Sequence, residues 1–185
     1  MKNYKTATGE INVPETWAEV TLGAMMAIAD LAKEDQMDTT DEEQAESAIR
    51  WIAAASCTSQ ELVETMSISD GAEALRTITS WSGTEMGKTS DYSFMELSGQ
   101  RYDLVPFEAL TLGEHSSLDA YQRMGPSGLA LMAATLYRPA GEKYDTATCR
   151  SREEAFKQAS AQKVTTASLF FSLTGVYLTE GSDPS

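Results

Sequence analysis

A chain of 185 residues with 42% apolar content and a formal charge of −14 has the composition of a folded, acidic, globular protein. That charge excludes a nucleic-acid or anionic-membrane binder, because phosphate binding takes clustered Lys and Arg that release counterions, and here 14 basic residues stand against 28 acidic ones. The longest apolar-rich runs, 129–137 and 167–178, are too short or too broken by Ser and Thr for a membrane span of roughly 20 residues. The opening Met1-Lys2-Asn3-Tyr4-Lys5 has no apolar stretch behind it, so neither a signal peptide nor an anchor is expected.

Taken in chain order, the first element is a weak hairpin turning at Thr8-Gly9 before Glu10-Ile11-Asn12-Val13. Leu22, Met25, Met26 and Ala29 then predict a helix over 22–33. Thr40 and Glu43 form a capping box, in which the hydroxyl and the carboxylate each satisfy a backbone N–H left free at a helix start. Behind it Ala45, Ala48, Ile49, Ile52, Ala53 and Ser56 recur at the spacing of one buried helical face. Thr58 and Glu61 form a second box, and Ala74, Leu75 and Ile78 predict a helix over 70–81.

The second half opens on a clearer hairpin, Tyr92–Leu97 and Arg101–Val105 around Ser98-Gly99-Gln100. A third capping box, Thr111 with Glu114, starts the next helix. Residues 129–138 and 164–178 are apolar nearly all round, as helices at the centre of a core are, with Pro139 stopping the first of them. A fourth box, Ser151 with Glu154, lies between the two.

The expected fold is therefore mainly α, an α+β arrangement: a compact helical domain over 1–185 with one or two small β-hairpins. Gly9/Gly99, Trp17/Phe107, Val20/Leu110, Thr21/Thr111, Leu22/Leu112 and Gly23/Gly113 coincide at one offset of 90 residues. Two explanations stand: related halves 1–82 and 92–185 joined by the polar loop 83–91, or the shared grammar of hairpins and helix caps.

Candidate chemistry is thin. Gly83-Thr84-Glu85-Met86-Gly87-Lys88-Thr89 falls one residue short of a phosphate-binding loop, with Ser82 where the first glycine belongs, and it follows a helix pattern rather than a strand. An exposed loop is the expected reading. The acidic run Asp35, Asp38, Asp41, Glu42 and Glu43 lacks the central glycine and twelfth-position glutamate of a calcium loop, and reads as a solvated helix start.

His115 is the only histidine, which rules out a histidine-cluster metal site, and its spacing with Leu118 and Tyr121 points to a partly buried helix position. Neither Ser116 nor Cys149 lies in a nucleophile-elbow pattern. Cys57 and Cys149 are expected to be buried free thiols. Carboxylates at helical spacing, such as Glu42 and Glu46, are ordinary in an acidic protein, and Met25, Met26, Met66 and Met132 are expected in the core. No catalytic, cofactor-binding or metal-binding residue is expected, no cofactor is implied, and partner-binding residues are not identified.

One family resemblance runs along the chain. Pro14-Glu15-Thr16-Trp17-Ala18-Glu19-Val20-Thr21 resembles the P-x-x-W-x-x-(V/L)-T opening of small bacteriophage proteins described as tail assembly chaperones. Ile49–Ser56 followed by Thr58–Leu62 resembles their next helix pair, Leu131–Pro139 with Tyr144-Asp145 is similar to their tyrosine-arginine-proline segment, and Ala167–Phe171 resembles their last helix. Ala53-Ala54-Ala55 departs from the bulkier residues of that pattern. The resemblance implies a non-enzymatic phage morphogenesis protein in the host cytoplasm, binding a helical tail or tape-measure protein. The alternative it leaves is a structural subunit retained in the virion, in tail, baseplate or connector. Self-association is left open.

Overall fold

A computed structural model of the chain describes residues 1–34, 41–89 and 91–169. The Thr40–Glu43 box, most of the acidic run from Asp35, and the expected helix beyond residue 169 lie outside the described residues or depend on them. The fold is mainly α with two small antiparallel sheets, as periodicity and capping predict. The chain divides into two compact units, Met1–Gly87 and Lys88–Ser185.

Unit 1 begins with the antiparallel strands β1 (Lys2–Lys5) and β2 (Glu10–Val13), in register Tyr4 to Ile11. Alternation sends Tyr4, Ile11 and Val13 inward and leaves Glu10 and Asn12 in solvent, the usual pattern of a sheet with one buried face. A 3-10 turn at Trp17–Glu19 leads into α1 (Leu22–Glu34), followed by α2 (Asp41–Ser56), α3 (Gln60–Val63) and α4 (Ile68–Ser82). Packing of α2 against α1, α4 and β2 puts Leu22, Ile28, Ile52, Ala74 and Ile78 in the core. Trp81 closes its end, donating to Pro14 O at 2.7 Å and meeting Trp17 edge-to-face at 4.8 Å.

Several expected faces are rotated. In α1 the buried positions are Leu22, Ala24 and Ile28, while Met25, Met26 and Ala29 are half-buried. In α2 only the second half is buried, at Ile52, Ala53 and Ala55, and Ala45 is exposed. The cap of α3 is Ser59, whose hydroxyl accepts from Leu62 N, and not Thr58. Ser67 caps α4 in the same way, so that helix starts two residues before its predicted first residue.

Unit 2 opens with β3 (Phe94–Leu97) and β4 (Gln100–Leu104), joined through Ser98 and Gly99 with φ of 51° and 77°. Left-handed backbone at both turn residues matches the twist of the strands. A 3-10 turn at Phe107–Ala109 precedes α5 (Leu112–Arg123), which carries the complete Thr111–Glu114 capping box. A second turn at Gly125–Gly128 leads to α6 (Leu129–Leu136), buried from Ala130 to Leu136, with α7 (Thr146–Ser151), α8 (Glu153–Phe156) and α9 (161–169) following.

The predicted helix over 129–138 ends early. Tyr137–Arg138 forms a strand, β5, paired with β4 through Leu104 and Asp103, giving the order β3-β4-β5. The fourth capping box is also corrected: Ser151 ends α7 and donates to Thr148 O, whereas Asp145 caps that helix by accepting from Thr148 N.

The two units share their local hydrogen bonding. Val20 N to Trp17 O, Ala24 N to Thr21 Oγ1 and Met25 N to Thr21 O recur at an offset of 90 residues as Leu110 N to Phe107 O, Glu114 N to Thr111 Oγ1 and His115 N to Thr111 O. Further along, Val63 N to Ser59 O, Met66 N to Val63 O and Asp70 N to Ser67 Oγ recur at an offset of 93, as Phe156 N to Arg152 O, Ala159 N to Phe156 O and Lys163 N to Ser160 Oγ.

Candidate functional site

The most buried polar constellation lies in unit 2. The Thr111 box turns Glu114 inward: its Oε2 accepts from Thr111 N and from Thr111 Oγ1, both at 2.6 Å. Its Oε1 lies 2.7 Å from Arg138 Nη1, with side chains only 1% and 9% exposed. That contact is off the line of a directed hydrogen bond, and Arg138 Nε has no hydrogen-bond partner among the described residues. The arginine is delivered by β5, so the ion pair ties α5 to the edge of the sheet.

Beside it, Arg152 donates two hydrogen bonds to Glu142, the longer at 2.7 Å, and its guanidinium stands over the Tyr102 ring, which meets Phe156 edge-to-face. The Arg152 hydrogen bond holds the Glu142 carboxyl below its ordinary value of 4.5. A depressed carboxylate stabilises the fold above the unfolded-state pKa and stops doing so as pH falls through the folded one. Glu142→Gln is therefore expected to cost about 1 kcal/mol at pH 7. The difference from wild type should shrink as pH falls below the ordinary carboxylate range and through the depressed folded value, read from urea midpoints across that acid range.

Cys149 is buried close by, and burial pushes its thiol above the ordinary value, against a smaller opposing effect of the Thr135 hydroxyl. Cys57, expected to be buried, is exposed: it sits at φ 51° just past α2, with Sγ 3.2 Å from Thr21 Oγ1. A thiol reagent at pH 8 is expected to titrate Cys57 rapidly and Cys149 only on unfolding, since both access and thiolate fraction set the rate. Two fast thiols in the native protein would contradict this burial.

The two charged pairs and the Cys149 thiol thus lie close together at this end of unit 2, with each guanidinium set against a carboxylate. The near-miss phosphate loop follows α4, and Lys88 is exposed in it. His115 is half-buried, as its spacing predicts, edge-to-face with Phe107 at 5.0 Å, and the fully buried residues of α5 are Glu114, Leu118 and Tyr121. Ser116 and Glu46 are exposed, and of the four methionines expected in the core only Met132 is fully buried. Among the described residues no three His, Cys, Asp or Glu side chains are grouped to hold a metal ion, and no helix is long and apolar enough to cross a membrane.

Unit 1 offers a different kind of feature. Residues of α2 and α4 leave a half-open groove of about 400 Å³, lined by the apolar Ala48, Trp51 and Leu75 and the polar Gln44, Ser47, Thr79 and Ser82. Leu75, expected in the core, is half-buried and lines this groove. Periodicity marks Ala48 and Leu75 as apolar but does not show that they stay half-buried. A second depression, between Asp30, Leu31, Arg50, Ala54 and Glu61, has a more polar lining.

Compared with family models, with curated proteins and with solved structures, the chain finds no match in any of the three.

Proposed function

We propose that this protein acts by binding another protein rather than by turning over a substrate, and that it is a bacteriophage tail assembly chaperone whose client is a long helical tail protein of the tape-measure kind. The observation that carries the binding reading is the groove between α2 and α4, whose lining sets Ala48, Trp51 and Leu75 among the polar Gln44, Ser47, Thr79 and Ser82. An indole and a leucine side by side between two helices fit the ridge of an amphipathic helix, read as anchors at i, i+3 or i+4 and i+7. The phage assignment is supported by the sequence resemblances alone, at Pro14–Thr21, Ile49–Leu62, Leu131–Pro139 and Ala167–Phe171. On this reading the protein works in the host cytoplasm, needs no cofactor, and touches neither nucleic acid nor membrane.

The charge of −14 has a place in this mechanism. A complex that hides apolar stripes at its interface and shows carboxylates outside resists further association. Affinity then comes from apolar burial, which survives salt that screens charge over about 10 Å at 0.1 M. The complex with the client, captured on a tag, should hold from low to moderate salt; release on that step would show a charge-driven contact instead. The alternative, a subunit retained in tail, baseplate or connector, predicts this chain in purified virions at fixed stoichiometry, where a chaperone is absent.

A further inference from the structure

The chain's negative charge is unevenly divided. Residues 1–87 carry 5 Lys and Arg against 16 Asp and Glu, whereas residues 88–185 carry 9 against 12. The unit that holds the α2–α4 groove therefore holds most of the excess acid. Among the described residues none of those lining the groove is charged. Carboxylates flank the lining in sequence: Glu43 and Glu46 are exposed on α2, each one residue before a lining residue, Gln44 and Ser47, and Glu85 is exposed three residues past Ser82. Of the two arginines on these helices, Arg50 lines the separate depression with Asp30 and Glu61, and Arg76 is exposed next to Leu75. An uncharged groove is thus set in an acidic unit, with the flanking carboxylates nearest in sequence to Gln44, Ser47 and Ser82.

On the protein-binding reading of the groove, on which this inference rests, we propose that the helix it takes is a basic one: apolar anchors along one face, with Lys and Arg on either side of them. Charge complementarity selects that occupant. A helix flanked by Asp or Glu would meet like charge, and so would a second copy of this acidic unit, whereas a basic helix is drawn in. Charge and apolar burial then act on different rates. Long-range attraction speeds encounter and is screened by salt, while burial of the anchors against Trp51 and Leu75 sets how slowly the complex parts. Association slows as salt rises, and a complex already formed persists.

Two synthetic amphipathic helices test it, alike in a leucine face and differing only in lysine or glutamate at the flanking positions. Their association and dissociation rates with the full chain are read by stopped-flow fluorescence anisotropy. At low salt the lysine peptide is expected to associate about tenfold faster than the glutamate peptide, and the two should converge toward about 1 M salt with dissociation little changed. The double variant Glu46→Lys with Glu85→Lys, both at exposed positions, should narrow the preference at low salt with circular dichroism unchanged. Leu75→Gln, which removes an anchor contact without altering charge, should weaken both peptides. Equal association of the two peptides, with Leu75→Gln weakening both, would overturn this inference and leave the groove reading intact, and so would a preference that the double variant leaves unchanged. Failure of both peptides to bind would overturn the groove reading and this inference with it. A lysine peptide bound equally well by Leu75→Gln would put the charge contact away from the groove and overturn the proposal also.

Discussion

Arg138→Met is expected to destabilise the fold by about 3–5 kcal/mol, the largest effect of any single change considered, because it leaves the Glu114 carboxylate buried without a counter-charge. The side chain of Glu114 is 1% exposed, so water cannot replace the lost guanidinium without local opening. Ion pairing is not the source of net stability here, since two charges taken out of water recover in attraction little more than they lose in hydration. The double variant Arg138→Met with Glu114→Gln should therefore regain most of the loss. Glutamine removes the orphaned charge and still reaches back to Thr111 N to complete the cap. Urea unfolding followed by circular dichroism measures both. A single variant within 1 kcal/mol of wild type, or a double variant as unstable as the single one, would show that Glu114 is hydrated.

Gly128→Ala should cost about 2–3 kcal/mol for a purely steric reason. A Cβ there would lie 2.0 Å from Tyr121 O and 2.8 Å from Tyr121 C, and both atoms belong to the backbone of α5. A flexible side chain would swing away, but a helix carbonyl cannot, so the turn that brings α6 back onto α5 must open. Gly71 serves as control, because nothing lies within 4 Å of a Cβ at that position. Gly71→Ala in the first turn of α4 is expected to be neutral or stabilising by a few tenths of a kcal/mol. Equal losses at the two glycines would remove the steric account.

Local chemistry made much of this fold readable. The Thr111–Glu114 box and the Ser98-Gly99 turn depend on neighbours a few residues away, and each lies where its pattern places it. Misplacements occur where two adjacent residues offer the same chemistry or where a distant partner decides. Thr58 and Ser59 both carry a hydroxyl able to cap α3, and spacing alone does not choose between them. Tyr137 and Arg138 continue an apolar helical run, and pairing with Leu104 and Asp103, far away in sequence, draws them into strand.

The candidate sites were less legible for the same reason. Glu114 reads as a surface cap until Arg138 is brought beside it by β5. The groove depends on how α2 and α4 are set beside each other, and periodicity marks Ala48 and Leu75 as apolar without saying how far a neighbour packs on them.

The protein-binding account stands or falls on the soluble fraction of the client when it is co-expressed with this chain, set beside co-expression with Leu75→Glu. That substitution puts a carboxylate in the groove lining at a half-buried position and leaves the α2–α4 core residues Ile52, Ala74 and Ile78 in place. The wild-type chain is expected to bring a long helical tail protein into the supernatant, and the variant, folded by circular dichroism, to leave it in the pellet. A client equally insoluble with and without the wild-type chain would contradict the chaperone reading, and a client rescued equally well by the variant would contradict the groove as its binding site.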